Sequence, residues 1–294
     1  MGFNIKTTEL LIQSKKLGID FSKVVTIGRQ QMNGSFIQFE EFFKKIGLRA
    51  DEFYKILTRE NRYSEGFLRW LGADRIDSID ASSYESATII HDMNLPIDTS
   101  LYQSHSVVID SGSLEHIFNF PQAIQNCMEM VELGGHMIGV TPSNNFLGHG
   151  FYQFSPELIY RVFSPENGFQ IKKMWLFFPY HESPVYEVSD PAQVQDRVKF
   201  KNSEETFLFY IAERQSVKRI FEKIPQQSDY ENILWEDGED QKEKKKKKKS
   251  GLKIFIPDFL ILKLLNLRKT YLNFKSKRSP IGNGNPKYFK RVKF

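Results

Sequence analysis

The sequence predicts an α/β fold built on an open, mostly parallel sheet, and two features of the 294-residue chain predict it. Short apolar runs of strand length alternate with stretches whose apolar residues follow the helical period. Polar or acidic residues follow several of these runs directly. The stretch 107–145 combines both features, because it reads as a strand, a polar loop, a helix, a turn and a second strand. That order is the repeating unit of a parallel sheet.

The first part of the chain is predicted to supply three strands and the helices between them. Residues 5–18 form a helix that Gly18 can close, and Lys23–Ile27 form the first buried strand. Strands two and three are expected at 76–79 and 87–90. Between strands one and two, apolar residues at helical spacing predict core-facing helices at Phe36, Phe39, Phe42, Phe43, Ile46, Phe53, Ile56, Leu57 and 67–71.

The second part is predicted to complete a seven-stranded sheet. The four remaining strands are expected at 107–109, 136–140, 169–178 and 206–212. Asn119 is expected to cap the helix after strand four, with Gly134 and Gly135 ending it, and Ser155 to cap a later helix. The last two strands should be antiparallel, because no crossover helix is evident between them.

Charge divides the chain into an acidic body and a basic tail, although the net charge of the whole is only +5. From residue 241 onward there are 18 Lys or Arg and 2 Asp or Glu, a net charge of +16. The first 240 residues then carry 23 and 34, a net charge of −11. We predict a globular domain at 1–215, a polar, lysine-rich linker at 216–250 and a basic amphipathic tail at 251–294.

The tail has the composition of an interaction element. Six consecutive lysines, 244–249, repel one another and favour an extended linker. Beyond them, Pro257 can open a helix with leucines on one face and basic residues on the other. Such a helix can lie on an anionic membrane through residues 251–278, dock on a protein, or stay a disordered tail. Nucleic acid is not expected, because no aromatic residue interrupts the lysine run.

Other totals exclude several classes of protein. The single cysteine, Cys127, has no partner for an intramolecular disulfide and is expected to be a buried core thiol. The six histidines show no ligand spacing with Cys or acidic residues, so no metal site is expected. No signal-peptide pattern and no run of about 18 apolar residues is evident. These features favour a cytoplasmic location, peripheral to the inner membrane face if the tail binds lipid.

Acidic residues follow the second and third predicted strands. Asp80 comes directly after the strand at 76–79, and Asp92 follows the strand at 87–90. In parallel sheets ligands bind outside the carboxyl ends of the strands. A carboxylate after strand two can accept both hydroxyls of a ribose, and one after strand three can accept the exocyclic amine of adenine. The alternative is that both residues cap the turns that follow.

Two loops at this edge carry the remaining candidate residues. A nucleotide-binding first loop has glycines two residues apart. Here Gly28 fits but Gln30 occupies the second position, which disfavours a dinucleotide or nucleotide-sugar enzyme. The loop after strand five holds His149, Tyr152 and Gln153 among glycines and aromatics. It is a candidate substrate wall, with an aromatic cluster that pins the loop as the alternative.

The segments VVIDSGSLEHIFNFPQAI (107–124) and ELGGHMIGVTPSNN (132–145) resemble class I S-adenosylmethionine-dependent methyltransferases. In that family an acidic residue ends strand four and a Leu-Glu-His triplet opens the next helix. The resemblance covers roughly residues 20–213. The stretch GHGFYQFSPE is similar to a bacterial, type 11-like subgroup often associated with surface-glycan and secondary-metabolite clusters. A Rossmann-like, seven-stranded sheet with an antiparallel last strand and helices on both faces is implied, followed here by the basic tail.

Carried over residue by residue, the resemblance implies S-adenosyl-L-methionine as cofactor. It places Gly28 under the methionine part, Asp80 on the ribose, Asp92 and Met93 around the adenine, and Asp110, Ser111 and Gly112 near the methionyl amine and the methyl group. The departure from the family pattern at Gln30 leaves two outcomes. Either the loop widens and Arg29 or Gln30 contacts the cofactor carboxylate, or affinity is lost and the domain is a non-catalytic relative.

The activity implied is methyl transfer to a small-molecule or glycan acceptor, with O-methylation in surface-polysaccharide or secondary-metabolite biosynthesis as the first hypothesis. For a hydroxyl acceptor, His149 is the preferred general base and Tyr152 its orienting group. His116 is the second candidate base, with a structural role as its alternative. The competing hypothesis is a catalytically degenerate, methyltransferase-like scaffold whose basic tail contacts a membrane or a partner.

Overall fold

The computed structural model describes residues 2–180, 182–229, 267–268, 270–271, 285 and 287–294. Eleven strands and seven helices have bounds within this part of the chain. In chain order they are β1 (Gly2–Phe3), α1 (Ile5–Lys16), β2 (Lys23–Ile27), β3 (Gln31–Met32), α2 (Phe36–Lys45), α3 (Ala50–Ile56), α4 (Glu65–Trp70), β4 (Arg75–Asp80), β5 (Ile89–Ile90), β6 (His105–Ser111), α5 (Phe120–Met130), β7 (Val131–Asn144), α6 (Pro156–Val162), β8 (Phe169–Phe177), β9 (Val185–Val188), α7 (Pro191–Val194), β10 (Thr206–Arg214) and β11 (Phe289–Val292).

One nine-stranded sheet organises the fold, in the order β11-β9-β8-β10-β7-β6-β2-β4-β5. Strands β7, β6, β2, β4 and β5 are parallel, whereas β10 is antiparallel to both β7 and β8. All seven predicted strands are present, and the antiparallel arrangement of the last two is confirmed. Numbered along the chain, those seven lie in the order 3-2-1-4-5-7-6. The strands β9 and β11 and the small β1–β3 sheet were not predicted.

Alternation along the strands divides the core between the two faces of the sheet. On β6, Val107 and Ile109 join the cluster under α1–α4, whereas Val108 joins the cluster on the opposite face, with α5 and α6. The phenylalanines predicted to face the core at helical spacing are buried, as Phe39 and Phe43 illustrate at 0% exposure. Ile46, predicted with them, is 46% exposed because α2 ends before it. The buried phenylalanines pack against one another edge to face or tilted, which fixes the helices beside β2.

The helix after strand four ends earlier than the sequence predicts. We expected Gly134 and Gly135 to end it, but α5 stops at Met130 and both glycines lie within β7. The guanidinium of Arg214, at the end of β10, donates hydrogen bonds to the carbonyl oxygens of Met128 and Val131 at 3.1 and 2.9 Å. This long-range cap satisfies carbonyls that a glycine turn would otherwise have to accommodate.

The C-terminal end of the chain returns to the domain. β11 pairs antiparallel with β9, with Phe289 opposite Val188 and Val292 opposite Val185. The predicted basic helix from Pro257 onward lies outside the described residues, apart from 267–268 and 270–271. Within the described part of the chain, no helix has the length and apolar character needed to cross a bilayer.

Candidate functional site

A cleft of about 410 Å³ opens at the carboxyl ends of β2, β4, β5 and β6. Ligands bind at this edge in open α/β sheets because the loops that leave the strands converge there. The cleft is lined by Ile27, Gly28, Arg29, Gln30, Ile79, Asp80, Ala81, Glu85, His91, Asp92, Met93, Asn94, Gly112, Ser113, His116 and Ile117. Seven of the predicted site residues are in this set: Gly28, Arg29, Asp80, Asp92, Met93, Gly112 and His116.

The first loop gives the cleft a floor without a side chain. Gly28 has φ +69°, a conformation that L side chains rarely adopt. A methyl group placed there would lie 3.2 Å from Ser113 Oγ and 3.9 Å from Asp80 Oδ2. Ser113 Oγ itself donates to the Ile27 carbonyl at 2.8 Å. The glycine therefore keeps open a gap between the ends of β2, β4 and β6.

The Gln30 side chain folds back toward the end of β2. Its Nε2 donates to the Ile27 carbonyl at 2.6 Å, and its side chain is almost fully buried. Its Oε1 has no hydrogen-bond partner among the described residues. The glutamine that replaces the expected glycine is thus accommodated because its amide is buried, and its Oε1 remains an unpaired acceptor among the described residues.

Arg29 is fixed along the wall of the cleft. Its Nε donates to Glu65 Oε1 at 2.7 Å and its Nη1 to the Glu85 carbonyl at 2.9 Å. The guanidinium also lies 3.7 Å above the ring centre of Tyr63. These contacts hold a positive charge beside the first loop.

The two acidic residues after β4 and β5 line the same cleft. Asp80 Oδ1 accepts the Ser82 N–H at 3.0 Å. Asp92 is exposed, and its Oδ1 accepts the backbone N–H of Asn94 at 2.9 Å, which lowers the pKa of the Asp92 carboxyl. Both residues therefore make the turn contacts of the alternative interpretation. Since each accepts these bonds through Oδ1, Oδ2 is available to a ligand, so the two interpretations are compatible.

The last two residues of β6 lie beneath the cleft, and the residue that follows the strand lines it. Asp110 and Ser111 are buried and do not line the cleft, whereas Gly112 does. Asp110 Oδ1 accepts the backbone N–H groups of Ser113 and Leu114 at 3.0 and 3.3 Å. Asp110 therefore shapes the loop from below. Burial raises the pKa of its carboxyl.

A second polar group, the Glu115–His116–His149 cluster, stands beside the cleft. Glu115 Oε1 lies 3.5 Å from His149 Nε2 and 4.0 Å from His116 Nε2, and the two imidazoles meet edge to face at 4.9 Å. Burial raises the pKa of the Glu115 carboxyl, while burial and His149 lower the pKa of His116. The sequence interpretation named both histidines but not Glu115, although it lies in the Leu-Glu-His triplet.

Tyr152 is not bonded to His149. Its hydroxyl donates to the Phe118 carbonyl at 2.6 Å, and its ring stacks on Phe154. The loop is held further by the N–H groups of Phe151 and Tyr152, which bond the Glu115 carbonyl at 2.7 and 3.3 Å. Tyr152 therefore positions the loop that carries His149 rather than the imidazole itself.

No protein-family model and no curated protein sequence matches the chain. Solved structures resemble it in fold. The 1,6-didemethyltoxoflavin-N1-methyltransferase of Burkholderia thailandensis is 8% identical, with a TM-score of 0.40 over 72% of this chain and 78% of that one. The N-methyltransferase NodS of Bradyrhizobium japonicum WM9 is 11% identical, with a TM-score of 0.36 over 71% and 88%. A SAM-dependent methyltransferase of Thermotoga maritima is 13% identical, with a TM-score of 0.34 over 72% and 91%.

At these identities and TM-scores the likenesses carry no argument about activity or substrate. The strand order does carry an argument about the fold. The order 3-2-1-4-5 is that of doubly wound nucleotide-binding sheets. To this the chain adds a seventh strand, antiparallel, between the fifth and the sixth. The chain has the fold of the class I S-adenosylmethionine-dependent methyltransferases.

Proposed function

We propose that the protein transfers a methyl group from S-adenosyl-L-methionine to a hydroxyl of a small-molecule or glycan acceptor. The observation that carries the proposal is the cleft itself. Three consecutive strand ends supply a glycine floor at Gly28, a carboxylate at Asp80 and an acidic–apolar pair at Asp92 and Met93. These groups match, in order, a methionine chain, a ribose and an adenine.

The described residues fit this cofactor. Gly28 and Gly112, both at positive φ, leave the first loop and the β6 loop without side chains where the two approach. The unpartnered Oε1 of Gln30 can accept a hydrogen bond from the methionyl amine, and Arg29 can pair with the carboxylate. Asp80 would hold the ribose hydroxyls, and Met93 would pack against the adenine.

When bound, the cofactor supplies a methyl group on a sulfonium, whose carbon an acceptor oxygen attacks in line while S-adenosylhomocysteine leaves. The protein's part is to position the reactants and to exclude water. The acceptor's proton must also leave, and the Glu115–His116–His149 cluster is the group beside the cleft that can take it. In this proposal His149, with its ring about a third exposed, serves as the base for the hydroxyl.

Calorimetric titration with S-adenosylhomocysteine tests the proposal. We expect saturable binding to the full chain and a loss of affinity of about 10- to 100-fold in Asp80→Asn, because an amide with only one acceptor oxygen replaces the carboxylate that accepts two ribose hydroxyls. Asp98→Asn is the matched control, since Asp98 caps a short turn elsewhere and does not line the cleft. Absence of heat at millimolar ligand would contradict the proposal and leave a scaffold role.

We also propose that the basic tail brings the domain to an anionic membrane surface. The support is the charge of +16 from residue 241 onward and the apolar face predicted after Pro257. Because β11 belongs to the sheet, truncation at 241 would remove a strand, so Lys244–Lys249→Gln is the better variant. We expect this variant to bind phosphatidylserine vesicles at least tenfold more weakly in co-sedimentation. Each lysine near an anionic surface contributes roughly 1 kcal/mol to the free energy of membrane binding. Equal pelleting of both forms would refute the membrane role.

A further inference from the structure

Glu115 is a buried carboxylate with no hydrogen-bond partner for either oxygen among the described residues. Its side chain has no exposed surface, and its ion-pair contacts there are the imidazoles of His116 and His149. A buried carboxylate of this kind is costly unless it is paired, protonated or bound to a metal. The Glu115 carboxyl therefore requires a proton or a cation as its partner.

The two histidines present ring nitrogens toward the same point. The coordinating atoms of Glu115, His116 and His149 all lie within 4.8 Å of one another. At 3.5 and 4.0 Å, the carboxylate-to-imidazole distances are too long for hydrogen bonds. Two ligands of one zinc ion, each bound at about 2.1 Å, stand roughly 3.4 Å apart in tetrahedral geometry. The observed spacing fits shared coordination better than direct pairing.

The loop that carries His149 is held against Glu115. The Glu115 carbonyl accepts the N–H groups of Phe151 and Tyr152. At Gly150, with φ +67°, a methyl group would lie 2.9 Å from that same carbonyl oxygen. Only a glycine allows this approach, so the chain is built to keep the imidazole of His149 beside the carboxylate.

We propose that Glu115, His116 and His149 bind a divalent transition-metal ion with an open coordination position beside the cleft. Two imidazoles and one carboxylate are the ligand set of catalytic zinc sites, which keep a further position for water or substrate. His116 lines the cleft, and its ring is 47% exposed, so the open position is accessible from that side. Zinc, which binds this ligand set in tetrahedral geometry, is the ion used to test the site.

This inference deepens the proposed function and rests on it for the role of the metal. An acceptor hydroxyl in the open position would lose its proton to solvent water more readily, because the ion stabilises the oxyanion that remains. The metal then takes over the activation assigned above to the free imidazole of His149. The acceptor is accordingly an oxygen nucleophile that can coordinate a metal, rather than a carbon or a thioether.

Metal content tests the site without any methyl acceptor. The full chain is stripped with a chelator, dialysed against zinc and analysed by mass spectrometry. We expect one zinc per chain, and its loss in Glu115→Gln and in His149→Gln. His136→Gln is the matched control, because His136 lies within the first half of β7 and is not part of the cluster. Cobalt-substituted protein should show visible d–d bands that change when azide enters the open position.

The possible results separate the site from the proposed function. Zinc bound equally by wild type and both variants, or not at all, would overturn the metal site. Titration of the same samples with S-adenosylhomocysteine reports folding and the cofactor cleft independently. Zinc binding without S-adenosylhomocysteine binding would support the metal site and contradict the methyltransferase proposal. S-adenosylhomocysteine binding without zinc binding would support the methyltransferase proposal and contradict the metal site.

Discussion

Arg214→Met is expected to lower the free energy of unfolding by about 3–5 kcal/mol. The side chain is 1% exposed and joins the end of β10 to the end of α5. Its Nη1 donates to the carbonyl oxygens of Met128, Glu129 and Val131, and its Nη2 lies 3.4 Å from Glu129 Oε2. Methionine fills similar space but leaves three carbonyls, two of them in buried hydrogen bonds, and a carboxylate without this donor.

Urea unfolding followed by circular dichroism measures the change, and the midpoint should fall while the slope stays constant. Lys172→Met is the matched control, because Lys172 pairs with Glu213 at 3.0 Å on the surface of the same sheet. The Lys172 side chain is 45% exposed, so loss of this pair should change stability by less than about 1 kcal/mol. Similar losses in both variants would show that the Arg214 contacts do not cap α5.

The elements set by local pattern could be predicted from the sequence. β2 has the predicted bounds, and α1 and α2 lie where the apolar period places them, because burial of one face dictates that period. The two-residue strands β1 and β3 could not be found, since such short segments have no period. The end of α5 was missed because Arg214, 84 residues after Met130, caps it.

The residues of the site also fall into those that the sequence could predict and those that it could not. Gly28 and Asp80 follow strands directly, so their place at the sheet edge follows from chain order alone. The Glu115–His116–His149 cluster does not follow from chain order, because the spacing of Glu115 and His149 along the chain is not that of a ligand motif. Their proximity depends on the loop that Gly150 allows to close on the Glu115 carbonyl. The sequence expectation of no metal site considered only the spacing of ligands along the chain, which does not show that the fold brings these three side chains together.

Gly28→Val is expected to weaken S-adenosylhomocysteine binding at least 100-fold, about 2.7 kcal/mol. Its first side-chain carbon would sit 3.2 Å from Ser113 Oγ, and the two methyl groups beyond it would enter the gap toward Asp80. Those methyl groups would occupy space that the cofactor requires. The branched side chain at φ +69° also strains the backbone by about 1–3 kcal/mol, so a loss of stability accompanies the loss of binding.

Gly134→Val separates the two effects. Gly134 has φ +79°, and nothing lies within 4 Å of a methyl group placed there, so valine meets the same backbone strain in open space. We expect both variants to lose similar stability in urea unfolding, and only Gly28→Val to lose binding in calorimetry. If Gly134→Val weakened binding equally, general destabilisation would explain the loss. Full binding by Gly28→Val would mean that the cofactor does not enter the gap between β2, β4 and β6, and that this cleft serves another ligand.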